Sequence, residues 1–378
     1  MSTTLTQANR EWASRPQDER FKNLHALHEA VQTRRRNSID SERSMSNAHV
    51  TVNGSMVLDC FGMPTQRLTN WSAGQLCAKL GVPRDLLAKL DPDTATMVMN
   101  DRLPKAIAEG KLNQYQRVLI DDDRGVIRAF HGKVYNRVWD ADVTRTLLEY
   151  LPPGWRNPVA YANGKWGSAL EPSGLYAGDR NLFAFFIDGG DWREDQPDAG
   201  SFDVDGEKFN RGFFVENSEV GADTLKYTTF FFDVVCGNHY VWGARDVLVE
   251  SFIHRGKVAT RGLYQFREFL NRLNENNTVE GFREAVRAAK QVIAVPVTRD
   301  KVETLDAAFG KFKSTFTQNE ITLALDAMLR EEKGVTGTRY DWLAGFTAVA
   351  RELPNADDRC ALEMKASKLL LTYPGTTK

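Results

Sequence analysis

The chain has 378 residues, 42% hydrophobic and 26% charged, with 49 Lys and Arg against 50 Asp and Glu. That is ordinary globular composition, and it excludes a disordered chain, a collagen-like fibre, a coiled-coil rod and a nucleic-acid-binding polycation. No apolar run approaches the ~18 residues of a membrane span, and the polar opening MSTTLTQANREWASR has no signal-like apolar core, so a soluble cytoplasmic protein with no membrane partner is expected.

In chain order, Phe21, Leu24, Leu27 and Val31 recur at helical spacing, and that helix ends in Arg34-Arg35-Arg36, which favours a solvated C-terminal cap. Residues 1–44 read as a helical extension. His49 to Phe61 alternates about Asn53-Gly54, a hairpin signal. Helices follow near 71–80, 84–90 and 93–109. A second hairpin spans 115–130, and its Asp121-Asp122-Asp123-Arg124-Gly125 reads as turn chemistry rather than a metal cluster. A helix over 140–150 stops at Pro152-Pro153-Gly154, completing a mixed α/β lobe over 45–150.

Residues 151–245 read as a β-rich middle with acidic loops around the strand NLFAFFI. Two β-rich arms there meet at Gly237-Asn238. Lys226–Val235 is apolar on both alternating faces, so it should lie in an antiparallel sheet covered on both sides. From 246 to 378 the pattern is helical, near 246–275, 278–294, 299–313, 317–332, 340–352 and 356–372, with Gly256 and Gly262 breaking the first and a Thr317/Glu320 capping box opening the fourth. The expected fold class is α+β, an antiparallel sheet with long hairpins and a helical C-terminal layer, and 45–378 can form one domain.

Chemistry-bearing motifs are sparse. Phosphate-loop, dinucleotide, nucleophile-elbow and zinc-protease patterns are missing, Cys60, Cys77, Cys236 and Cys360 are scattered, and no cofactor or metal is expected. The stretch WSAGQLCAKLGVPRDLLAKL has a helix-turn-helix outline, but its second helix is poor in base-reading side chains. Charge is uneven: residues 176–225 hold twelve acids and four bases, a balance of −8, and residues 251–273 hold five bases and one acid, a balance of +4. Spacing does not make Asp188, Asp191, Asp195, Asp203 and Asp205 converge on a cation.

The strongest binding signal is basic–aromatic interleaving. One segment carries Arg128, Lys133, Tyr135 and Arg137; the other carries Arg255, Lys257, Arg261 and Tyr264. A single strand needs cations along its backbone and flat rings for its bases. The competing reading puts the aromatics in the core and the cations in water.

Three blocks also carry a resemblance: LGVPRDLLAKLDPDTATMVMNDRL with the strand pair ending RAFHGKVYNRVWDADV; GFFVENSEVGADTLKYTTFFFDVVCGNHYVWG; and YDWLAGFTAVARELPNADDRCALEMKASKLL. In that order they resemble a broad prokaryotic family of phage and plasmid-like proteins that bears only a domain-of-unknown-function label. The resemblance spans roughly residues 45 to 372, with Asn217-Ser218-Glu219-Val220-Gly221 its most specific part. It implies an accessory protein of a mobile element in a bacterial host cytoplasm, and it assigns no catalytic residue. The reading that follows is non-enzymatic binding of single-stranded DNA in recombination or replication. Alternatives are a metal-dependent phosphoesterase or nuclease and a structural or host-directed protein-binding protein; homo-oligomerisation stays open.

Overall fold

The computed structural model describes residues 16–60, 64–157, 174–189, 200–233, 239–240, 249–273, 277–331, 335–353 and 356–371. The fold is α+β, with two sheets and helices that close over them. The first helix, α1 (Leu24–Arg36), starts where the Asn23 side chain accepts the Ala26 N–H at 2.8 Å. It does not belong to a helical extension: Leu27 and Val31 are fully buried, and residues 38–44 form a strand. A short polar strand such as SIDSERS has no alternation to betray it, and pairing with its neighbour decides its state.

The first sheet contains β1 (Ser38–Ser44), β2 (His49–Asn53), β3 (Ser55–Asp59), β4 (Gln66–Leu68), β5 (Tyr115–Asp121) and β6 (Val126–His131), in the order β1-β5-β6-β4-β3-β2. Both hairpins legible in the sequence are present, and β4 runs parallel to β6. Helices α2 (Asn70–Leu80), α3 (Arg84–Leu87) and α4 (Pro92–Ala108) cover one face, burying Leu58, Leu76, Met99 and Ile127. The helix α3 has only four residues, too short for a recognition helix.

Helix α5 (Asp140–Tyr150) leads to the second sheet, built from β7 (Trp155–Arg156), β8 (Leu175–Ala177), β9 (Leu182–Asp188), β10 (Phe202–Val204), β11 (Glu207–Asn217), β12 (Leu225–Asp233), β13 (His239–Tyr240) and β14 (Val249–Phe252). The principal hairpin joins β11 to β12, with Phe213 opposite Thr229 and Val215 opposite Tyr227. Within the β-rich middle expected over 151–245, the eleven-residue β11 stands where acidic loops were expected: its charges hid a strand whose Phe209, Phe213 and Phe214 are buried. Gly212 is needed there, because a Cβ would come within 2.5 Å of the Phe230 ring. Over its described residues the arm expected in 226–235 is β12, antiparallel and covered on both sides: Tyr227 and Phe231 pack toward helices, Phe230 toward Phe185 and Phe214. Its expected turn at Gly237-Asn238 lies outside the described residues.

Where the first C-terminal helix was expected over 246–275, residues 249–252 form β14 instead, paired with β12; Gly256, at φ +61°, turns the chain into α6 (Val258–Arg272), which runs through Gly262 unbroken. Then come α7 (Asn277–Gln291), α8 (Lys301–Phe312), α9 (Gln318–Glu331), α10 (Arg339–Glu352) and α11 (Ala356–Leu371). The Thr317/Glu320 capping box forms at α9. Phe282 of α7 stacks on Phe231 of β12 at 4.2 Å, which locks this helical layer to the sheet.

Candidate nucleic-acid interface

The two basic–aromatic segments, more than a hundred residues apart in sequence, meet. Tyr135 forms an isolated antiparallel bridge with Arg255, and the Asn136 N–H donates to the His254 carbonyl at 2.9 Å. The Asn136 amide also donates to the Gly256 carbonyl. Two residues out from the bridge on either side stand Lys133 and Lys257, both exposed. Arg255 is exposed at the bridge itself. Lys257, Arg261 and Tyr264 then follow at helical spacing on the solvent face of α6, and Tyr264 is 53% exposed. Among the described residues, Lys133, Arg255, Lys257 and Arg261 have no ion-pair partner. Arg267 braces Tyr264 from 4.9 Å and also stacks on Tyr150 at 5.5 Å. Sequence reading missed that brace, because no pattern announces a contact between α6 and the end of α5.

The other three expected contacts are corrected. Arg128 is 1% exposed and ion-pairs with Glu219 at 2.7 Å inside the protein. Arg137 is equally enclosed: it donates to the Glu219 carbonyl and reaches Asp40 at 3.1 Å. Tyr135 is part-buried and already stacked, on His131 at 4.0 Å and on His254 at 5.3 Å, and its hydroxyl donates to the Ser218 carbonyl at 3.1 Å. These residues build the platform beneath the surface rather than the surface. In strand β6 both faces are covered, so Arg128 cannot turn to water as an exposed strand's cation does.

What Arg128 and Arg137 do is hold the two sheets together through a buried polar network. The second oxygen of Glu219 accepts the Asp140 N–H at 3.0 Å, and the Asn217 amide donates to Asp140 at 2.7 Å and to the Val138 carbonyl at 2.9 Å. Asp40 of β1 accepts two hydrogen bonds from Arg117, at 2.8 and 2.7 Å. Burial and the neighbouring Glu219 push the Asp140 carboxyl up to about 8. Burial acts the same way on Glu219, but the Arg128 charge overrides it and holds that carboxyl below its usual range. Burial first and the Arg137 charge second lower His131 to about 2, and burial lowers His254 to about 4. Asn217-Ser218-Glu219-Val220-Gly221 is thus a structural turn between β11 and β12. Gly221 sits at φ +77°, and the Ser218 hydroxyl accepts the Ala222 N–H at 2.9 Å.

The acids of the middle region are largely committed. Asp179 pairs with Arg124 at 2.7 Å, Asp188 with Arg211 at 2.7 Å and Asp205 with Arg287 at 3.4 Å, and Asp203 accepts the Gly206 N–H. Asp191 and Asp195 lie outside the described residues. Among the described residues no three His, Cys, Asp or Glu side chains gather at metal-binding distance. Arg34 and Arg35 are likewise tied down, Arg34 to the carbonyls of Ala177 and Gly178 and Arg35 to Asp142. No helix among the described residues is long and apolar enough to cross a membrane.

Comparison with family models, with curated proteins and with solved structures gives no match.

Proposed function

We propose that this protein binds single-stranded DNA through Lys133, Arg255, Lys257, Arg261 and Tyr264, as a non-enzymatic accessory in the recombination or replication of a phage or plasmid. The observation that supports this reading is the Tyr135–Arg255 bridge, which brings Lys133 of the first segment beside the exposed Arg255, Lys257, Arg261 and Tyr264 of the second. Unpaired cations side by side repel one another, and a polyanion relieves that repulsion. An exposed ring beside them offers a stacking platform for a base. The mobile-element setting and host cytoplasm rest on the resemblance of the three sequence blocks. The metal-dependent alternative has less support, since Asp188 and Asp205 are paired with arginines and Asp203 holds a turn.

The test is fluorescence anisotropy of a labelled single strand titrated with protein at several salt concentrations. Four backbone contacts give a log–log slope of about −3, at roughly 0.7 per contact. Absence of binding at low salt overturns the reading.

A further inference from the structure

Beside the Tyr135–Arg255 bridge opens a cleft of about 460 Å³, within the range of about 300–1,000 Å³ typical of small-molecule sites. Its lining combines three chemistries. Val134 and Ile253 are aliphatic walls that stand 68% and 67% exposed, although buried alternatives are what such side chains ordinarily seek. Asp223 and His254 supply polar groups, and Arg255 supplies a cation at the rim.

His254 is the informative one. Its Nδ1 accepts the Val138 N–H at 3.3 Å, so in the neutral ring the proton sits on Nε2. Burial lowers its pKa to about 4, so the ring is neutral at physiological pH. That Nε2–H is buried and has no protein acceptor. An unpaired buried donor is destabilising, and a ligand acceptor that displaces the side chains covering Nε2 offsets that cost. A neutral donor beside a carboxylate does not suit a phosphate. It suits an uncharged, flat heterocycle that offers both a carbonyl and an N–H, between apolar walls that take its faces.

We propose that this cleft seats one unstacked nucleobase of the bound strand, with its phosphate on Arg255. The proposal rests on the single-strand reading above and adds to it a site that grips a base rather than the backbone. His254 supplies the donor and Asp223 the acceptor for the base edge, and Val134 and Ile253 flank the ring.

Gly132 provides the means of testing it. It lines the cleft and is exposed, and a Cβ there meets nothing within 4 Å, so Gly132→Phe introduces a ring at the cleft with no strain at its Cβ. Affinity for a short single-stranded oligothymidylate is compared with affinity for an abasic phosphodiester chain of the same length, in parent and variant. Gly132→Phe should weaken the oligothymidylate about tenfold, within what one stacked base contributes, and leave the abasic chain and the salt slope unchanged. Ile253→Ser, at an exposed position, should give the same selective loss by removing a wall. If both variants bind oligothymidylate like the parent, or lose both ligands equally, the base seat is overturned while the single-strand reading stands. If the parent binds neither ligand, both fall.

Discussion

The Arg128 guanidinium and the Glu219 carboxylate meet at 2.7 Å with almost no exposure of either side chain, and they join strand β6 of one sheet to the β11–β12 turn of the other. A buried pair of this kind contributes little net stability against an apolar substitute, but breaking it strands a charge. Arg128→Met should therefore cost about 3–5 kcal/mol, read as a lower midpoint in urea, and adding Glu219→Gln should recover part of it. The folded Arg128→Met protein should keep the parent's salt slope for single-stranded DNA, because Arg128 does not reach the strand. A variant of parental stability whose slope flattens by about 0.7 would return Arg128 to the interface.

The same network sets a pH profile. His131 and His254 have folded values of about 2 and 4, below the ordinary 6.5, so below pH ~6.5 the unfolded chain binds more protons and stability rises with pH. Asp140 works in the opposite sense. Its folded value of about 8 lies above the ordinary 3.8, so the folded state holds the extra proton and stability falls as pH climbs toward 8. These two histidines outweigh one aspartate below pH ~6.5, and above it Asp140 dominates among these groups. The melting temperature should peak near pH 6.5–7, and Asp140→Asn should flatten the decline between pH 7 and 8. A decline of equal steepness in Asp140→Asn would assign it to another group.

Much of this fold is legible in the sequence. Asn53-Gly54 and the Asp121–Gly125 turn announced their hairpins, and Thr317 with Glu320 announced a helix start, because each depends on residues adjacent in sequence. Strands β1 and β11 were hidden because their polar residues are satisfied by distant partners: Asp40 by Arg117 and Arg137, Arg211 by Asp188. The candidate site divided along the same line. Lys257, Arg261 and Tyr264 lie on one helix face, where periodicity is a guide. Arg128 and Arg137 lie on a segment covered from both sides, and only the three-dimensional neighbour Glu219 shows that their charge is spent internally.

The exposed cations allow a quantitative test. Replacing Arg255, Lys257 and Arg261 together by Ala should flatten the single-strand salt slope by roughly two units. All three are exposed and unpaired among the described residues, so the melting temperature should stay within a degree or two of the parent's. Lys133→Ala, from the other segment, should add about 0.7 to the flattening. A triple variant that binds like the parent at every salt concentration would leave this strip as ordinary solvated surface.

Tyr264 separates stacking from charge. Its ring is 53% exposed, and the Arg267 guanidinium lies 4.9 Å from its centroid, so the platform is held in place before a base arrives. Tyr264→Ala should weaken single-strand binding by about 1–3 kcal/mol and leave the salt slope nearly unchanged, because stacking releases few counterions. Tyr264→Phe should retain most of the affinity, since the ring rather than the hydroxyl carries the contact. Tyr135→Ala is the instructive contrast. That ring is locked between sheet and loop by His131, His254 and the Ser218 carbonyl, so its loss should appear first as a lower melting temperature. If Tyr135→Ala instead weakened binding at unchanged stability while Tyr264→Ala did nothing, the stacking platform would belong to the bridge and not to α6.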